Sequence, residues 1–209
     1  MERDITNPAV DAYMRTLQVR HDEPVLVEME EYAEANRFPI VGRLCGVTIE
    51  LLARSITARR VFELGSGFGY SAYWFAKSGA DEIHLTDGDP GNETKARDYL
   101  TRAGVWDRAA YHIGDALESF GHVDGDFDVV YCDVDKEGYP DCWRAARERI
   151  RPGGLWICDN TLWYGRVADD DPDERTQAIL EHNRLVADDT DFVTTIVPLR
   201  DGLLVALKG

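Results

Sequence analysis

Two aspartates and one asparagine stand directly after apolar segments, where oxygen ligands could meet. Asp133 follows the apolar run 127–132, and Asp159 and Asn160 follow the run 155–158. If the two runs are neighbouring parallel strands, their carboxyl ends open into one crevice and the three side chains converge. Two carboxylates and an amide oxygen suit Mg²⁺, with Mn²⁺ and Ca²⁺ as further options. The pattern therefore predicts a divalent-metal site at these three residues.

Two alternatives stand beside this metal site. Asp135 is a competing ligand, but we expect the alternation of an extended segment to turn it away from Asp133, which leaves it a helix-start or salt-bridge carboxylate. For Asp159 and Asn160 the alternative is a plain turn. An apolar strand that runs straight into them disfavours that interpretation.

A glycine-rich loop precedes the metal residues in the chain. Gly65, Gly67 and Gly69 follow a predicted strand and open a predicted helix, where glycines let the backbone turn sharply and approach a ligand. The spacing is G-x-G-x-G with Tyr70 next, so the G-x-G-x-x-G pattern of a pyrophosphate-binding loop is not met. The loop therefore favours a nucleoside cofactor without phosphates over a dinucleotide.

Three carboxylates lie at the ends of the strands around this loop. Asp87 ends the second strand, where doubly wound folds place an acceptor for ribose hydroxyls, and Asp115 follows the third, where it could accept from an adenine amino group. Their alternatives are a turn or helix N-cap, which is also the alternative for Asp89 before Pro90. Glu63 could meet the positive end of a methionine moiety or the amides of the loop, or simply cap its strand.

The rest of the sequence predicts the elements that position these residues. Three helices are expected first, from Pro8 to about Arg20, from Val25 to Arg37, and over residues 42–58. Short apolar runs then alternate with helical segments, which predicts right-handed crossovers and a parallel sheet. The runs cover 61–64, 82–86, 110–113, 127–132 and 155–158, and the helical segments lie near 70–78, 93–103, 115–120 and 140–150.

The end of the chain has a different pattern. Residues 191–198 and 203–207 read as two strands joined by a tight turn, and therefore as an antiparallel hairpin. The prediction is an α/β fold with a mostly parallel seven-stranded sheet and an antiparallel C-terminal hairpin. A single domain is expected over 1–209, with N-terminal helices in 1–58 and the sheet-containing core in 60–209.

Net charge, apolar runs and cysteine spacing limit which substrates and which cellular location we expect. The formal net charge is −16, which repels phosphate backbones and disfavours a large polynucleotide substrate. The chain has neither a membrane-length apolar run nor a signal-peptide pattern, so we expect a soluble, cytoplasmic protein. Cys45, Cys132, Cys142 and Cys158 lack C-x-x-C spacing and are interpreted as reduced thiols.

Six segments together resemble the caffeoyl-CoA and catechol O-methyltransferase family, and the likeness runs from about Pro39 to Lys208. They stand in the order of that family: residues 63–71, 114–116, 133–136, 151–154, 159–165 and 198–202. The resemblance implies a Rossmann-like class I methyltransferase that is cation-dependent and uses S-adenosylmethionine. It also implies a homodimer and a small substrate with vicinal hydroxyls, either catechol-like or a hydroxycinnamoyl conjugate.

The resemblance assigns roles to individual residues. It implies that Asp133, Asp159 and Asn160 hold the metal and that Lys136 is the general base, with Asp133 also catalytic. The residues expected to surround S-adenosylmethionine are Val41, Gly42, Glu63, Gly65, Ser71, Asp87, Asp115 and Asp133. A cation bound by two substrate oxygens would stabilise the phenolate and fix its position, and a lysine beside a cation and a sulfonium should lose its proton readily.

The substrate remains the most open question at this level. The family often has asparagine and tyrosine where this chain has Gly138 and Cys142. Trp163 and Tyr164 are candidates for the pocket wall, with core or lid packing as the alternative. Two other functions stay open: an O-methyltransferase acting on hydroxylated uridine in tRNA, which the acidic balance disfavours, and a NAD-dependent or nucleotide-binding protein with the same sheet.

Overall fold

A computed structural model describes residues 5–18 and 23–209 of the chain and begins with three helices. They are α1 (Pro8–Thr16), α2 (Pro24–Asn36) and α3 (Gly42–Ser55). Asn7 caps α1 by accepting from the Ala9 amide at 2.9 Å, with proline in the first helical turn.

Two of these helices end earlier than predicted. Helix α1 stops at Thr16, and the predicted extension over 19–20 lies outside the described residues. Helix α3 stops at Ser55 because Thr57 adopts φ 55° and the Ala58 amide turns back to donate to the Ala53 carbonyl.

Strands and helices alternate through the rest of the chain, with short 3₁₀ turns between some of them. They are β1 (Arg60–Leu64), α4 (Tyr70–Ser78), β2 (Glu82–Asp87), α5 (Pro90–Arg102), β3 (Ala109–Ile113), α6 (Ala116–His122), β4 (Phe127–Cys132), α7 (Tyr139–Ala146), β5 (Ile150–Cys158), α8 (Glu174–Ala187), β6 (Phe192–Val197) and β7 (Leu203–Lys208).

The seven strands form one sheet in the order β3-β2-β1-β4-β5-β7-β6. Strands β1 to β5 pair in parallel, whereas β7 runs antiparallel to both β5 and β6. The predicted α/β fold with a C-terminal antiparallel hairpin is therefore confirmed. The strand order reverses direction between β1 and β4, and ligands of doubly wound folds bind at such a point.

Helix α8 was absent from the sequence prediction, and its buried side chains explain why. Thr176, Ile179, His182 and Val186 are the buried residues of this helix, so half of its inward positions are polar. Polar residues at inward positions interrupt the apolar stripe, so the sequence shows little helical periodicity of apolar residues. Asp173 caps the helix by accepting from the Thr176 amide at 2.9 Å.

Two other elements begin earlier than predicted. Strand β5 starts at Ile150, because the Gly153-Gly154 pair continues the strand instead of preceding it. Helix α5 starts at Pro90, since Asp89 accepts from the Gly91 amide at 2.8 Å and caps it.

Apolar cores cover both faces of the sheet and hold its carboxyl edge in place. Helices α2 to α5 cover one face, and α6 to α8 cover the other. Trp74 and Trp143 are fully buried in these cores, as their predicted role in helix packing requires. At the contact of α3 with α4, a Cβ on Gly46 would lie 2.2 Å from the Trp74 indole, so this approach requires glycine. Within the described ranges, no helix combines the length and apolar character of a membrane span.

Candidate active site

A cleft of about 940 Å³ opens at the carboxyl edge of the sheet, and we call it the carboxyl-edge cleft. Its walls are the segments that follow β1, β2, β3, β4 and β5, together with residues 38–41 before α3. The cleft therefore lies where the strand order predicts a ligand.

The glycine loop forms one wall of the cleft and packs against the end of β4. Gly65 has φ 83°, and its amide donates to Thr86 Oγ1 at 3.0 Å. A Cβ at this position would lie 2.5 Å from the Asp133 carbonyl oxygen, so only glycine permits the contact. The loop thus brings the start of α4 beside the predicted metal residues.

Asp87 and Asp115 cap local structure and also line the cleft. Asp87 Oδ1 accepts from the Asp89 amide at 2.8 Å and from Asn92 Nδ2 at 3.0 Å, which fixes its turn. Asp115 Oδ1 accepts from the Glu118 amide at 2.8 Å and caps α6. Both aspartates also line the carboxyl-edge cleft. Local capping thus fixes each carboxylate at a position from which it can meet a ligand.

The cleft wall contains six of the eight residues predicted to bind the cofactor. They are Val41, Gly65, Ser71, Asp87, Asp115 and Asp133. Gly42 and Glu63 do not line it. Glu63 is fully buried beneath the loop, and neither carboxylate oxygen has a hydrogen-bond partner in the described part of the chain. Burial raises the pKa of Glu63 to about 8, although the nearby Ser66 and Ser71 hydroxyls lower it.

The predicted metal residues gather around the Lys136 ammonium. Lys136 Nζ lies 3.1 Å from Asp133 Oδ1 and donates to Asn160 Oδ1 at 2.6 Å. The Asp159 amide donates to the Cys132 carbonyl at 3.1 Å, so the ends of β4 and β5 lie side by side. A divalent cation on the same oxygens must replace these lysine contacts.

Asp159 has the environment of a cation ligand. Its side chain is buried, and Oδ1 has no hydrogen-bond partner among the described residues. Burial, followed by the charge of Asp133, raises the pKa of Asp159 to about 7. A cation bound to both Asp133 and Asp159 would offset the repulsion between the two carboxylates and favour their ionised forms. The donor set therefore fits a hard divalent ion.

The third donor of this set is an amide. Over residues 5–18 and 23–209, no three or more His, Cys, Asp or Glu side chains form a group that could hold a metal. The candidate site therefore depends on Asn160, whose backbone has φ 57°, a left-handed conformation that asparagine adopts more readily than most residues.

Asp135 starts a helical turn, which is the role that the sequence favoured, but the expectation that strand alternation turns it away from Asp133 was wrong. Residues two apart on an extended segment share a face, and Asp135 lines the carboxyl-edge cleft together with Asp133. Its carbonyl accepts from the Gly138 amide at 2.9 Å, so the residue also starts the 3₁₀ turn Lys136–Gly138.

Without a bound cation or cofactor, Lys136 holds its proton more tightly than an ordinary lysine. Burial lowers its pKa, but the carboxylates of Asp133 and Asp159 raise it by more, so the pKa lies above the ordinary value. The prediction of a readily deprotonated lysine therefore concerns the site with a cation and a sulfonium bound.

Three side chains in contact with the site were missed at the sequence level. Tyr139 Oη lies 2.7 Å from Lys136 Nζ and donates to the Asp159 carbonyl at 3.0 Å. Arg200 lies 3.6 Å from Asp159 Oδ2, and Asp201 accepts from Asn160 Nδ2 at 2.8 Å. For Arg200 and Asp201 the available signal was the polar turn between two apolar strands, whereas Tyr139 had no comparable signal.

Aromatic residues after β5 form another part of the cleft wall. Trp163 and Tyr164 have φ values of 46° and 52°, and both line the cleft, as do Gly138 and Cys142. The Trp163 indole Nε1 is buried without a hydrogen-bond partner in the described chain. This wall can therefore offer a flat apolar face to a bound ring.

Comparisons with known proteins agree with this geometry. A family model described as O-methyltransferase matches residues 19–209. A catechol O-methyltransferase from Mycobacterium tuberculosis is 31% identical over 172 residues, which cover 80% of this chain and 78% of that protein.

Two solved structures are similar over nearly the whole chain. The O-methyltransferase from Bacillus cereus in complex with SAH superposes with a TM-score of 0.86 at 26% identity, covering 96% of this chain and 97% of that one. The O-methyltransferase TomG from Streptomyces achromogenes, in complex with SAM, gives 0.85 at 28% identity and covers 96% of each chain. The predicted Rossmann-like methyltransferase fold is thereby confirmed.

Proposed function

We propose that this chain, which belongs to the O-methyltransferase family, transfers a methyl group to one hydroxyl of a small aromatic vicinal diol and requires a divalent cation. The chain is an S-adenosylmethionine-dependent O-methyltransferase, and S-adenosylmethionine is its cofactor. The alternative of a NAD-dependent oxidoreductase is therefore wrong. The cation and the substrate class are the proposal.

One observation carries the proposal. Oxygens of Asp133 and Asn160 lie within 3.1 Å of a single atom, Lys136 Nζ, and the buried Asp159 Oδ1 beside them has no partner in the described chain. These three side chains would hold the cation. When bound, a divalent cation supplies a Lewis acid that lowers the pKa of a substrate hydroxyl and fixes two adjacent oxygens.

Lys136 is the residue that can accept the proton of the substrate hydroxyl at Nζ. Tyr139 Oη lies 2.7 Å from that nitrogen and is not one of the proposed ligand oxygens, so this contact can hold Lys136 beside the site. Trp163 and Tyr164 form a wall that favours an aromatic ring and displaces water from it. The aromatic class of substrate is proposed on this wall and on the name of the catechol-methylating relative.

Methylation of a matched pair of phenols tests the proposal. Purified protein with S-adenosylmethionine and Mg²⁺ should methylate catechols, as measured by mass spectrometry of the product, and should leave monophenols of the same ring unmodified. Excess EDTA should suppress the reaction, with Mg²⁺ restoring it. The proposal fails if a panel of vicinal diols yields no product, or if EDTA leaves the rate unchanged.

Location and assembly are also proposals. We infer a cytoplasmic location, which the four buried free thiols support because disulfides are rare there. We infer a homodimer, in which exposed apolar side chains of α1 and of its C-cap residue contribute: Val10, Tyr13 and Leu17 are 50%, 63% and 60% exposed. Light scattering on a gel-filtration column would give the mass that decides between monomer and dimer.

A further inference from the structure

We propose that Asp201 is a positioning residue that orients the amide of Asn160 so that its oxygen, and not its nitrogen, faces the cation site. The inference rests on the proposed function, because it concerns the third ligand of the proposed cation. Asp201 lies in the turn between β6 and β7 with no exposed surface, and its Oδ2 accepts from Asn160 Nδ2 at 2.8 Å.

The chemistry of the two neighbours leaves Asn160 only one favourable orientation. The two ends of an amide have nearly the same shape, but only the oxygen can bind a metal ion. A carboxylate only accepts hydrogen bonds, so Asp201 binds the NH₂ end, while the ammonium of Lys136 only donates and lies 2.6 Å from the oxygen. A flipped amide would place oxygen against oxygen and NH₂ against NH₃⁺.

The backbone of Asp201 is held in place by the loop after β5. The amides of Leu162 and Trp163 donate to the Asp201 carbonyl at 2.7 and 3.0 Å, so its backbone is tied to the loop that carries Asn160. A Cβ on Gly202, which has φ 95°, would lie 2.5 Å from Leu162 Cγ, so the two loops are in direct contact. These backbone contacts persist when only the side chain of Asp201 is changed.

Arg200 supplies the compensating charge. Its guanidinium lies 4.0 Å from Asp201 Oδ1 and 3.6 Å from Asp159 Oδ2, and its Nη1 donates to the Ile40 carbonyl at 2.6 Å. Arg200 therefore gives the buried Asp201 carboxylate a positively charged neighbour. Arg200 and Asp201 thus contact two of the proposed ligand side chains, Asp159 and Asn160.

Substitution of the carboxylate, with metal affinity as the readout, tests this role. The variants are Asp201→Asn, which keeps one acceptor oxygen, and Asp201→Ala, which keeps none. Binding of Mn²⁺ is measured by the electron paramagnetic resonance signal of the free ion, at saturating S-adenosylhomocysteine. We expect Mn²⁺ affinity about 10- to 100-fold weaker for the alanine variant and about three- to tenfold weaker for the asparagine variant, because outer contacts of this kind tune metal sites.

Two controls separate positioning from a general structural role. Affinity for S-adenosylhomocysteine, measured by calorimetry, should stay within about twofold of the wild type in both variants. Asp128→Asn changes another partly buried carboxylate, which accepts from the Arg59 and Arg60 amides at the opposite edge of the sheet, and should leave Mn²⁺ affinity unchanged. A general structural effect would instead weaken both ligands.

The outcomes distinguish failure of the proposed Asp201 role from failure of the proposed cation site. If the wild type binds Mn²⁺ and either Asp201 variant binds it within about twofold as tightly, the inference is overturned while the metal site stands. If the wild type binds no Mn²⁺, the proposed cation fails and the inference with it. Should the alanine variant not fold, the asparagine variant decides by the same criterion.

Discussion

Acid should destabilise the fold through His182, which has no exposed surface on α8. Trp156 Nε1–H donates to His182 Nε2 at 3.1 Å, so the ring hydrogen lies on Nδ1, 3.1 Å from Asn183 Oδ1. Burial lowers the pKa of His182 to about 4 from 6.5. Between these pH values the unfolded chain binds a proton that the folded chain does not, so stability falls as pH falls through this window.

The size of the effect follows from the two pKa values. A gap of about 2.5 units corresponds to about 3 kcal/mol in the free energy of unfolding, and the whole contribution is lost only below the lower pKa. Protonation would also turn Nε2 into a donor that faces the Trp156 N–H, so two donors would oppose each other at 3.1 Å.

Urea unfolding of the wild type and His182→Gln between about pH 7 and pH 4 measures this contribution. Glutamine can still accept from Trp156 but does not titrate, so the wild type should lose about 3 kcal/mol more than the variant over that range. Carboxylates that titrate in the same range affect both proteins alike and cancel in the difference. Parallel pH profiles for the two proteins would refute the reasoning.

Gly46→Ala should lower the free energy of unfolding in urea by about 1–3 kcal/mol, because the added Cβ would meet the Trp74 indole. The control is Gly121→Ala, whose Cβ would have no neighbouring atom within 4 Å and which should change stability by less than about 0.5 kcal/mol. Lys136→Met should lower kcat by about 10²- to 10⁴-fold in the catechol assay while calorimetry finds S-adenosylhomocysteine affinity unchanged, and near wild-type turnover would contradict its role as base. Between pH 4.5 and about 8 the folded state holds the Glu63 proton more tightly than the unfolded chain does, so the wild type should lose stability as pH rises. Glu63→Gln should lose less stability over this range. An unchanged pH profile in urea unfolding would contradict this.

The sequence contained enough information to predict the sheet and the positions of the proposed ligand side chains. Strand ends are local features: an apolar run that stops at a polar residue marks the carboxyl edge, which is how Asp133, Asp159 and Asn160 were found. Helix α8 could not be found in this way, because Thr176 and His182 occupy inward positions that periodicity expects to be apolar.

The contacts behind the ligands could not be predicted from local pattern. Asn160 and Asp201 are 41 positions apart in the chain, and they meet only because β7 inserts between β5 and β6. The ammonium of Lys136 between Asp133 and Asn160 also depends on the pairing of β4 with β5. Such contacts require the register of the sheet, which one sequence does not specify by spacing alone.

The antiparallel direction of β7 determines when the site is completed. A parallel sheet brings only strand ends to its carboxyl edge, but a reversed strand also brings its beginning there, with the turn that precedes it. Synthesis runs from the N to the C terminus, so the residues predicted to hold the cation exist in the growing chain before Asp201 does. The proposed ligands are therefore translated first, and the residue proposed to orient the Asn160 amide follows that asparagine 41 positions later.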